Sequence, residues 1–425
     1  MEKIIINGGR ELHGDVYING MKNAALPIIF ATILTGDRCV IENVPKVSDI
    51  TMSFDILRSM GAKIKYLNET TVSIDTKNIE GGDTPFELVS KMRGSTYLLG
   101  AELGRFHNSK VAFPGGCNFG TRPIDMHIKG FEALGATVSQ DENYVYADAP
   151  EGLIGSHIYF DIVSVGATVN LMLAATLAEG QTILENAARE PHIVDLANFL
   201  NTCGADIKGA GTGIIKINGV EKLHGCVYDI IPDMIEAGSY MCAVAATGGV
   251  VNIKNVIPKH LEIISTKLIE MGVEIETYDD YLTVRSTGKL KPTNIQTLPY
   301  PGFPTDMHPQ FSTLLAIADG DSTVYETIWK NRFKYVYELE KMGASVMVNE
   351  PFAAFKGVEK LHGASVRSVD LRAGAAIVIA GLVAEGTTEI TDIFTIERGY
   401  LDIVGKLRDL GADISKVYID ENAFA

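Results

Sequence analysis

The segment from Asp49 to Tyr66 reads DITMSFDILRSMGAKIKY and combines a helix, its end and the strand that follows. Up to Met60 the apolar side chains recur every three or four positions, which is typical of an amphipathic helix. Gly61 follows at once, where a left-handed glycine commonly ends a helix. From Ala62 onward polar and apolar residues alternate, and a polar turn separates them from a second alternating stretch. We therefore predict a helix, a glycine turn and a hairpin.

The same order of features recurs six times along the chain. The glycines that end the predicted helices are Gly61, Gly135, Gly204, Gly272, Gly343 and Gly411. They follow one another at intervals of about 70 residues, longer than the ~20 to 50 residues of the common solenoid repeats. The six units are therefore expected to form globular domains rather than a linear array.

Most units also contain a helix that is apolar on all sides. Residues 167–178 and 373–384 are the clearest examples, and a helix without a polar face is expected to be buried. One unit thus reads as strand, buried helix, strand, surface helix and two strands. This pattern predicts an α/β fold with three units in each of two domains, helices inside and sheets outside. The cleft between such domains is a usual place for a ligand.

Composition narrows the class of protein. The chain has 425 residues, 46% hydrophobic residues and a formal net charge of −16, as expected for an ordinary globular protein and not for one that binds nucleic acid. Five scattered cysteines without a Cys-x-x-Cys pair fit a reducing compartment and predict neither a disulfide framework nor a zinc site. The longest uncharged apolar run, 373–384, is shorter than the ~20 residues of a membrane span.

A glycine- and proline-rich loop, residues 114–123, carries a cysteine at its centre. Cys117 has Arg122 nearby, and a cation close to a thiol favours the reactive thiolate. The alternative is a small apolar residue under a turn, the role of most free cysteines. The residues alone leave both interpretations open.

Three further sites carry polar groups where a helix should begin. Lys22 lies at the mouth of an apolar helix, and Ser164 opens another, so either helix start could bind an anion. The alternatives are a solvated lysine and a simple N-cap. Asp306 follows a proline- and glycine-rich stretch and is either a helix cap or a general base.

Seven motifs in chain order give the sequence a family resemblance. They are Gly20-Met21-Lys22-Asn23-Ala24-Ala25, Pro114-Gly115-Gly116-Cys117 with Arg122-Pro123, Ser164-Val165-Gly166-Ala167-Thr168, Phe303-Pro304-Thr305-Asp306, Asn331-Arg332-Phe333, Asp370-Leu371-Arg372 and Glu397-Arg398-Gly399-Tyr400. Together they span nearly the whole chain, and the sequence resembles the UDP-N-acetylglucosamine enolpyruvyl transferases of the EPSP synthase superfamily.

The resemblance implies two inside-out α/β domains of three βαβαββ-type repeats each, with pseudo-threefold symmetry. One domain would span 22–230, and the other 1–21 together with 231–425. The implied reaction transfers the enolpyruvyl group of phosphoenolpyruvate to the 3′-hydroxyl of UDP-N-acetylglucosamine and releases phosphate, the first committed step of peptidoglycan synthesis. No cofactor, metal ion, nucleic acid or partner protein is implied, and the expected location is the cytoplasm.

The resemblance also assigns roles to individual residues. Cys117 would be the general acid toward the phosphoenolpyruvate methylene carbon and the target of fosfomycin, and Asp306 would take the proton from the sugar hydroxyl. Lys22 and Arg398 would take part in catalysis as well. The implied substrate-binding set is Lys22, Asn23, Arg93, Arg122, Pro123, Ser164, Val165, Gly166, Asp306, Ile328, Arg332, Asp370, Arg372 and Arg398.

Four positions depart from the family pattern, namely Met234, Tyr335, Thr395 and His192. They leave room for a paralogue with weaker activity or for a different nucleotide sugar. The nearest rival, the shikimate-pathway enolpyruvyl transferase, lacks the loop that contains Cys117. A non-catalytic member of the fold would be expected to have lost the implied catalytic residues, and this chain has them.

Overall fold

The computed structural model describes residues 2–81, 84, 86–90, 92–113 and 124–418, apart from the side chain of residue 93. The chain divides into two compact units. Gly20–Ile231 form one, here called the continuous unit. Met1–Asn19 and Pro232–Ala425 form the other, the discontinuous unit.

Strands and helices alternate along both units. The strands are β1 (Glu2–Asn7), β2 (Leu12–Tyr17), β3 (Arg38–Glu42), β4 (Lys63–Tyr66), β5 (Val72–Asp75), β6 (Asn108–Ala112), β7 (Thr137–Gln140), β8 (Tyr144–Asp148), β9 (His157–Tyr159), β10 (Gln181–Glu185), β11 (Asp206–Lys208), β12 (Ile214–Asn218), β13 (Val227–Asp229), β14 (Gly249–Lys254), β15 (Glu274–Thr277), β16 (Tyr281–Ser286), β17 (Ile295–Gln296), β18 (Asp321–Tyr325), β19 (Ser345–Asn349), β20 (Phe352–Lys356), β21 (Ser365–Arg367), β22 (Thr387–Thr391) and β23 (Asp413–Tyr418). The α-helices are α1 (Lys22–Thr35), α2 (Ser48–Ser59), α3 (Phe86–Val89), α4 (Tyr97–Phe106), α5 (Asp125–Ala133), α6 (Val165–Ala175), α7 (Pro191–Thr202), α8 (Met234–Thr247), α9 (Glu262–Glu270), α10 (His308–Ile317), α11 (Val336–Lys341), α12 (Leu371–Val383) and α13 (Ile403–Asp409). Short 3₁₀ helices span Arg93–Thr96, Pro258–Leu261, Thr305–Met307 and Ile393–Arg398.

The four-stranded sheets follow the predicted repeat. In the continuous unit β9, α6, β10, α7, β11 and β12 are consecutive, and their strands form one sheet in the order β11-β12-β10-β9. The first pair, β9 and β10, is parallel because the buried helix connects them, whereas β11 and β12 form an antiparallel hairpin. The other sheets of this unit have the orders β13-β3-β5-β4 and β6-β8-β7.

The discontinuous unit contains sheets of the same kind. Their orders are β15-β16-β14-β2, β17-β18-β20-β19 and β21-β22-β1-β23. Two of them need the N-terminal segment, since β1 pairs with β22 and β23, and β2 pairs with β14. This segment is therefore an integral part of the discontinuous unit.

Hydrogen bonds join the two chain segments at the boundary of each unit. In the continuous unit the amide of Met21 donates to the carbonyl of Ile231 at 2.7 Å. In the discontinuous unit the amide of Asp233 donates to the carbonyl of Asn19 at 2.9 Å. The entry and exit segments of each unit are thus side by side.

The predicted apolar helices form the cores. In the continuous unit α1, α4 and α6 pack against one another, and in the discontinuous unit α8, α10 and α12 do so. Every α12 residue from Leu371 to Leu382 is buried, because this helix has no polar face to present to water. The predicted α/β class with internal helices is confirmed. Within the described ranges, no helix has both the length and the apolarity that crossing a membrane requires.

The six glycine turns are confirmed as well. Their φ angles are 103° at Gly61, 93° at Gly135, 104° at Gly204, 93° at Gly272, 94° at Gly343 and 104° at Gly411. These values lie in the left-handed region, which a residue with a Cβ rarely adopts.

Gly272 allows a test of this backbone requirement, because an added Cβ would meet no atom within 4 Å. We expect Gly272→Ala to lower the free energy of unfolding by about 1–2 kcal/mol, the cost of left-handed backbone for a residue with a Cβ. Gly272→Asn should lose less, since asparagine tolerates this region. Urea unfolding measures both, and equal losses in the two variants would contradict the conformational explanation.

Candidate active site

Part of the predicted site lies outside the described residues. This holds for Cys117, Arg122 and Pro123, and for the side chain of Arg93, whose backbone begins the 3₁₀ helix Arg93–Thr96. The roles assigned to these four residues stay predictions.

Lys22 is the first residue of α1, and its side chain is buried rather than solvated. Its Nζ lies 3.0 Å from Oδ2 of Asp49, whose side chain is buried too. The interpretation of Lys22 as a solvated lysine is therefore wrong.

The neighbours of Lys22 add little to the start of α1. Met21 precedes the helix and makes no side-chain capping hydrogen bond, and Asn23 is half-buried. Asp49 was missed in the sequence because an acidic residue in the first turn of α2 resembles an ordinary response to the helix dipole.

Ser164 caps α6, because its hydroxyl accepts a hydrogen bond from the amide of Ala167 at 3.3 Å. The N-cap interpretation is confirmed for this residue, and its binding role stays a prediction. Val165 and Gly166 are half-buried at the helix start. A Cβ on Gly166 would lie 3.2 Å from the ring of His127, so the ring fits closely against this turn.

The ring of His127 is held by a buried polar chain. Its Nδ1 lies 2.9 Å from Nδ2 of Asn170, in the middle of α6. The Oδ1 atom of Asn170 accepts a hydrogen bond from the amide of Gly100 at 2.8 Å. This chain links α5, α6 and α4, and thereby fixes the backbone at the start of α6.

In the discontinuous unit, Asp306 lies between two buried arginines. Its Oδ1 is 3.4 Å from Nη2 of Arg332, and its Oδ2 is 3.1 Å from Nε of Arg372. The Asp306 side chain itself is 31% exposed, against 4% for each arginine. Asp306 does not cap α10, which begins at His308 after Met307 without a side-chain cap hydrogen bond. The cap interpretation of Asp306 is therefore wrong.

Arg372 lies in the first turn of α12. Asp370 is the N-cap, and its Oδ1 accepts hydrogen bonds from the amides of Arg372 at 2.9 Å and Ala373 at 3.0 Å. The Arg372 guanidinium lies over the ring of Tyr400, 5.5 Å from the ring centre. Burial alone would lower the pKa of Arg372, but the charge of Asp306, together with the contributions of Tyr400 and Asp233, outweighs it and raises the pKa above its ordinary value. Arg372 is therefore a fixed cation.

The remaining predicted residues of this unit lie on short segments. Arg398 is half-buried and ends the 3₁₀ helix Ile393–Arg398. Ile328 is half-buried as well, and its amide donates to Oε1 of Glu326 at 2.7 Å.

The chain segments that carry Asp306 and Ile328 share a buried support, which the sequence did not reveal. Glu326 accepts at Oε2 from the hydroxyl of Thr305 at 2.8 Å, and the same oxygen lies 3.2 Å from Nδ1 of His308. Nε2 of His308 is 2.7 Å from the hydroxyl of Tyr335. Burial lowers the pKa of His308, and the Glu326 carboxylate opposes this shift only in part.

Tyr335 departs from the family pattern, and in the structure its hydroxyl is part of this buried support. Besides contacting His308, its hydroxyl donates to Oγ of Ser312 at 2.6 Å.

The other three departures lie elsewhere. Met234 begins α8, Thr395 is hydrogen bonded to Ser368, and His192 is buried on α7. Within the part of the chain that is described, Cys39, Cys203 and Cys226 lie close enough together that they could share a metal ion, and none of them is a predicted site residue.

Comparison with known proteins identifies the class. The family model described as EPSP synthase (3-phosphoshikimate 1-carboxyvinyltransferase) matches residues 6–407. The crystal structure of the enolpyruvyl transferase NikO from Streptomyces tendae is similar with a TM-score of 0.89 and 26% identity over 99% of both chains. An EPSP synthase from Acinetobacter baumannii shares the fold, with a TM-score of 0.74 and 19% identity over 98% of this chain and 100% of that one. The chain belongs to the EPSP synthase family.

Closer relatives within this family share one name. UDP-N-acetylglucosamine 1-carboxyvinyltransferase 2 of Clostridium acetobutylicum is 57% identical over 98% of this chain and 99% of its own length. The UDP-N-acetylglucosamine 1-carboxyvinyltransferases of Clostridium botulinum and Finegoldia magna are 56% and 49% identical over 98% and 99% of this chain, and each is covered completely. The resemblance to this branch of the family is confirmed.

The Tyr335 hydroxyl offers a test of the buried support. Tyr335→Phe removes this hydroxyl and leaves His308 and Ser312 each without one hydrogen-bond partner, so we expect a loss of about 1–3 kcal/mol in the free energy of unfolding. Tyr337→Phe, at a residue that is 64% exposed, is the matched control and should change stability by less than about 0.5 kcal/mol. If thermal unfolding showed equal stability for the two variants, the Tyr335 hydroxyl would not contribute to the support.

Proposed function

We propose that the chain transfers the enolpyruvyl group of phosphoenolpyruvate to the 3′-hydroxyl of UDP-N-acetylglucosamine and releases phosphate. This reaction is the first committed step of peptidoglycan synthesis. The observation that carries the proposal is the full-length identity of 49–57% to relatives named for this substrate. The similarity to an EPSP synthase structure, at 19% identity, supports the fold alone.

Fixed cations on the described segments suit the two anionic substrates. In the continuous unit Lys22 lies at the start of a buried helix, where backbone amides also favour negative charge. In the discontinuous unit Arg332 and Arg372 are buried and held by Asp306. We assign Lys22 and Arg398, together with Arg122, to phosphoenolpyruvate. Arginine is well suited to a carboxylate or phosphate because its planar donors match two oxygens at once.

The other assignments follow from the resemblance to the family. Asn23, Arg93, Pro123, Ser164, Val165, Gly166 and Ile328 would contact the nucleotide sugar. Asp370 would act indirectly, because it caps the helix that carries Arg372. Mutual support of this kind holds charged groups still, which lowers the cost of reorganisation during the reaction.

In the proposed chemistry the sugar hydroxyl adds to C2 of phosphoenolpyruvate while Asp306 accepts the hydroxyl proton. Cys117 supplies a proton to the methylene carbon C3, so that the intermediate is a tetrahedral phosphate ketal. The Cys117 thiolate then takes a proton back from C3 while the bond between C2 and the phosphate oxygen breaks, which gives the enol ether and free phosphate; the proton held by Asp306 leaves with the phosphate. Asp306 suits its part because it is partly exposed, and its two arginine partners favour the ionised form that can accept a proton.

Both substrates are small polar metabolites, and we place the reaction in the cytoplasm.

Phosphate release is the direct test of the reaction. The purified protein is incubated with phosphoenolpyruvate and UDP-N-acetylglucosamine, with phosphoenolpyruvate and shikimate 3-phosphate, or with phosphoenolpyruvate alone. We expect release only with the UDP-sugar. Release only with shikimate 3-phosphate would assign the chain to the other branch of the family, and no release with either acceptor would refute both transferase assignments.

Asp306→Asn tests the base. The amide preserves the shape of the side chain but cannot accept the proton, so kcat should fall about 10²–10⁴-fold, the usual contribution of a general base. Asp319→Asn, at an exposed residue of the same unit, is the control and should leave kcat unchanged. A kcat of Asp306→Asn within a few-fold of the wild type would exclude the base role.

Cys117 is tested by alkylation and turnover. Fosfomycin should modify the wild-type protein at one residue and inactivate it, and Cys117→Ala should be neither modified nor efficient in turnover. Cys242→Ala, at a cysteine buried in α8, should be modified like the wild type. Modification of Cys117→Ala, or normal turnover by it, would place the reactive group elsewhere.

A further inference from the structure

The continuous unit brings together three cysteines that are far apart in the sequence. Cys39 lies on β3, Cys203 directly follows α7, and Cys226 directly precedes β13. Their sulfur atoms all lie within 4.8 Å of one another. None of the three is used in the proposed reaction, and their spacing in the sequence predicts no metal site.

The spacing of the sulfur atoms fits a shared metal ion better than a disulfide. Sγ of Cys203 and Sγ of Cys226 are 3.4 Å apart, well beyond the ~2.05 Å of a sulfur–sulfur bond. With one sulfur–sulfur distance of 3.4 Å and the other two between that value and 4.8 Å, the point in the plane of the three sulfurs that is equidistant from them lies about 2.0 to 2.6 Å from each, and the length of a zinc–thiolate bond, ~2.3 Å, falls in this range. Small shifts of the side chains would therefore complete a three-sulfur site.

The backbone around the three sulfurs is held by regular structure. The carbonyl of Cys226 accepts a hydrogen bond from the amide of Val40 at 2.8 Å, which extends the parallel pairing of β13 with β3. The carbonyl of Cys203 accepts from the amide of His224 at 2.9 Å. Metal sites bind well when their ligands are fixed before the ion arrives, and these hydrogen bonds supply that order.

Burial gives the cluster one open side. Cys39 and Cys203 are fully buried, whereas Cys226 is half-buried and provides access for an ion. The hydroxyl of Thr35 donates to the carbonyl of Thr32 at 2.8 Å, and its oxygen lies 3.8 Å from Sγ of Cys39, so a fixed polar group stands next to one of the three sulfurs.

We propose that Cys39, Cys203 and Cys226 bind one soft metal ion of the zinc class through three thiolates, with water at a fourth position on the side of Cys226. Each thiol loses its proton to solvent when the ion binds, and no oxidant or reductant is needed. Thiolates favour zinc and other soft ions over magnesium or calcium. The ion would connect β3, α7 and β13, and the proposal is independent of the proposed reaction.

Metal uptake by the full-length protein tests the proposal. The chain is prepared reduced and free of metal, and Cd²⁺ is added as a probe because cadmium–thiolate bonds absorb in the ultraviolet. We expect the absorbance to saturate at one ion per chain and Zn²⁺ to displace the probe. Affinity should rise with pH, because the ion competes with protons for the thiolates. A chain that takes up no ion would overturn the proposal.

Single substitutions locate the site. Cys39→Ser and Cys226→Ser should abolish the cadmium absorbance or weaken binding at least tenfold. Cys242→Ser, at a buried cysteine of the discontinuous unit, and Cys117→Ser should bind as the wild type does. Unchanged binding by Cys39→Ser and Cys226→Ser, or loss of binding by Cys117→Ser alone, would overturn the assignment.

Thermal unfolding keeps the test decisive if Cys39→Ser folds poorly. Zn²⁺ should raise the melting temperature of the wild type, because it binds the folded state. It should not do so in Cys226→Ser, whose side chain is only half-buried and therefore most tolerant of change. An equal rise in both proteins would contradict the proposal. The proposal would also be contradicted if Cys203 and Cys226 formed a disulfide in air and the protein, once reduced again, did not bind Zn²⁺.

Discussion

Both units depend on the burial of helices that have no polar face. Such a helix can be stable only if other elements cover it on all sides, and here the amphipathic helices and the sheets do so. Little of these helices can reach solvent except their ends. Three polar groups of the candidate site accordingly lie at helix starts: Lys22 on α1, Ser164 before α6 and Asp370 before α12. The architecture that makes the core thus also determines where chemistry can occur.

Charges at such helix starts are costly to bury alone, and the structure pairs the two buried cations there with carboxylates. Lys22 has Asp49, and Arg372 has Asp306. A buried pair contributes little net stability, because removing both charges from water offsets their attraction. Its value here is positional, since a paired side chain has a fixed direction. A substrate anion would then meet cations whose geometry is already set.

Features of the fold with a local cause could be predicted from the sequence. The turn glycines and the apolar helices are examples, because the requirement of Gly61 for left-handed backbone or the burial of 373–384 is encoded in a few neighbouring residues. The apolar helix predicted at 373–384 is α12, which the structure begins and ends slightly earlier. Helix ends are set by capping contacts as well as by periodicity.

Features produced by convergence of distant segments could not be predicted from one sequence. Asp49, the support formed by Glu326, His308 and Tyr335, and the three clustered cysteines all depend on which elements the fold places side by side. Taken alone in the sequence, each of these residues has an ordinary local interpretation, such as a first-turn acid for Asp49 or a small apolar side chain for a cysteine. Family resemblance supplied the residues expected to touch substrate, and it supplied none of these supporting ones.

Because the segments at the unit boundaries are paired, the continuous unit is a domain inserted into the sequence of the discontinuous unit. Its first and last segments are hydrogen bonded through Met21 and Ile231, and the flanking chain is hydrogen bonded through Asn19 and Asp233. A coding sequence could therefore be cut at these two junctions, the insert expressed alone, and the flanking parts rejoined by a short linker. Such junctions are also where an ancestral gene could have accepted one copy of a three-repeat domain inside another.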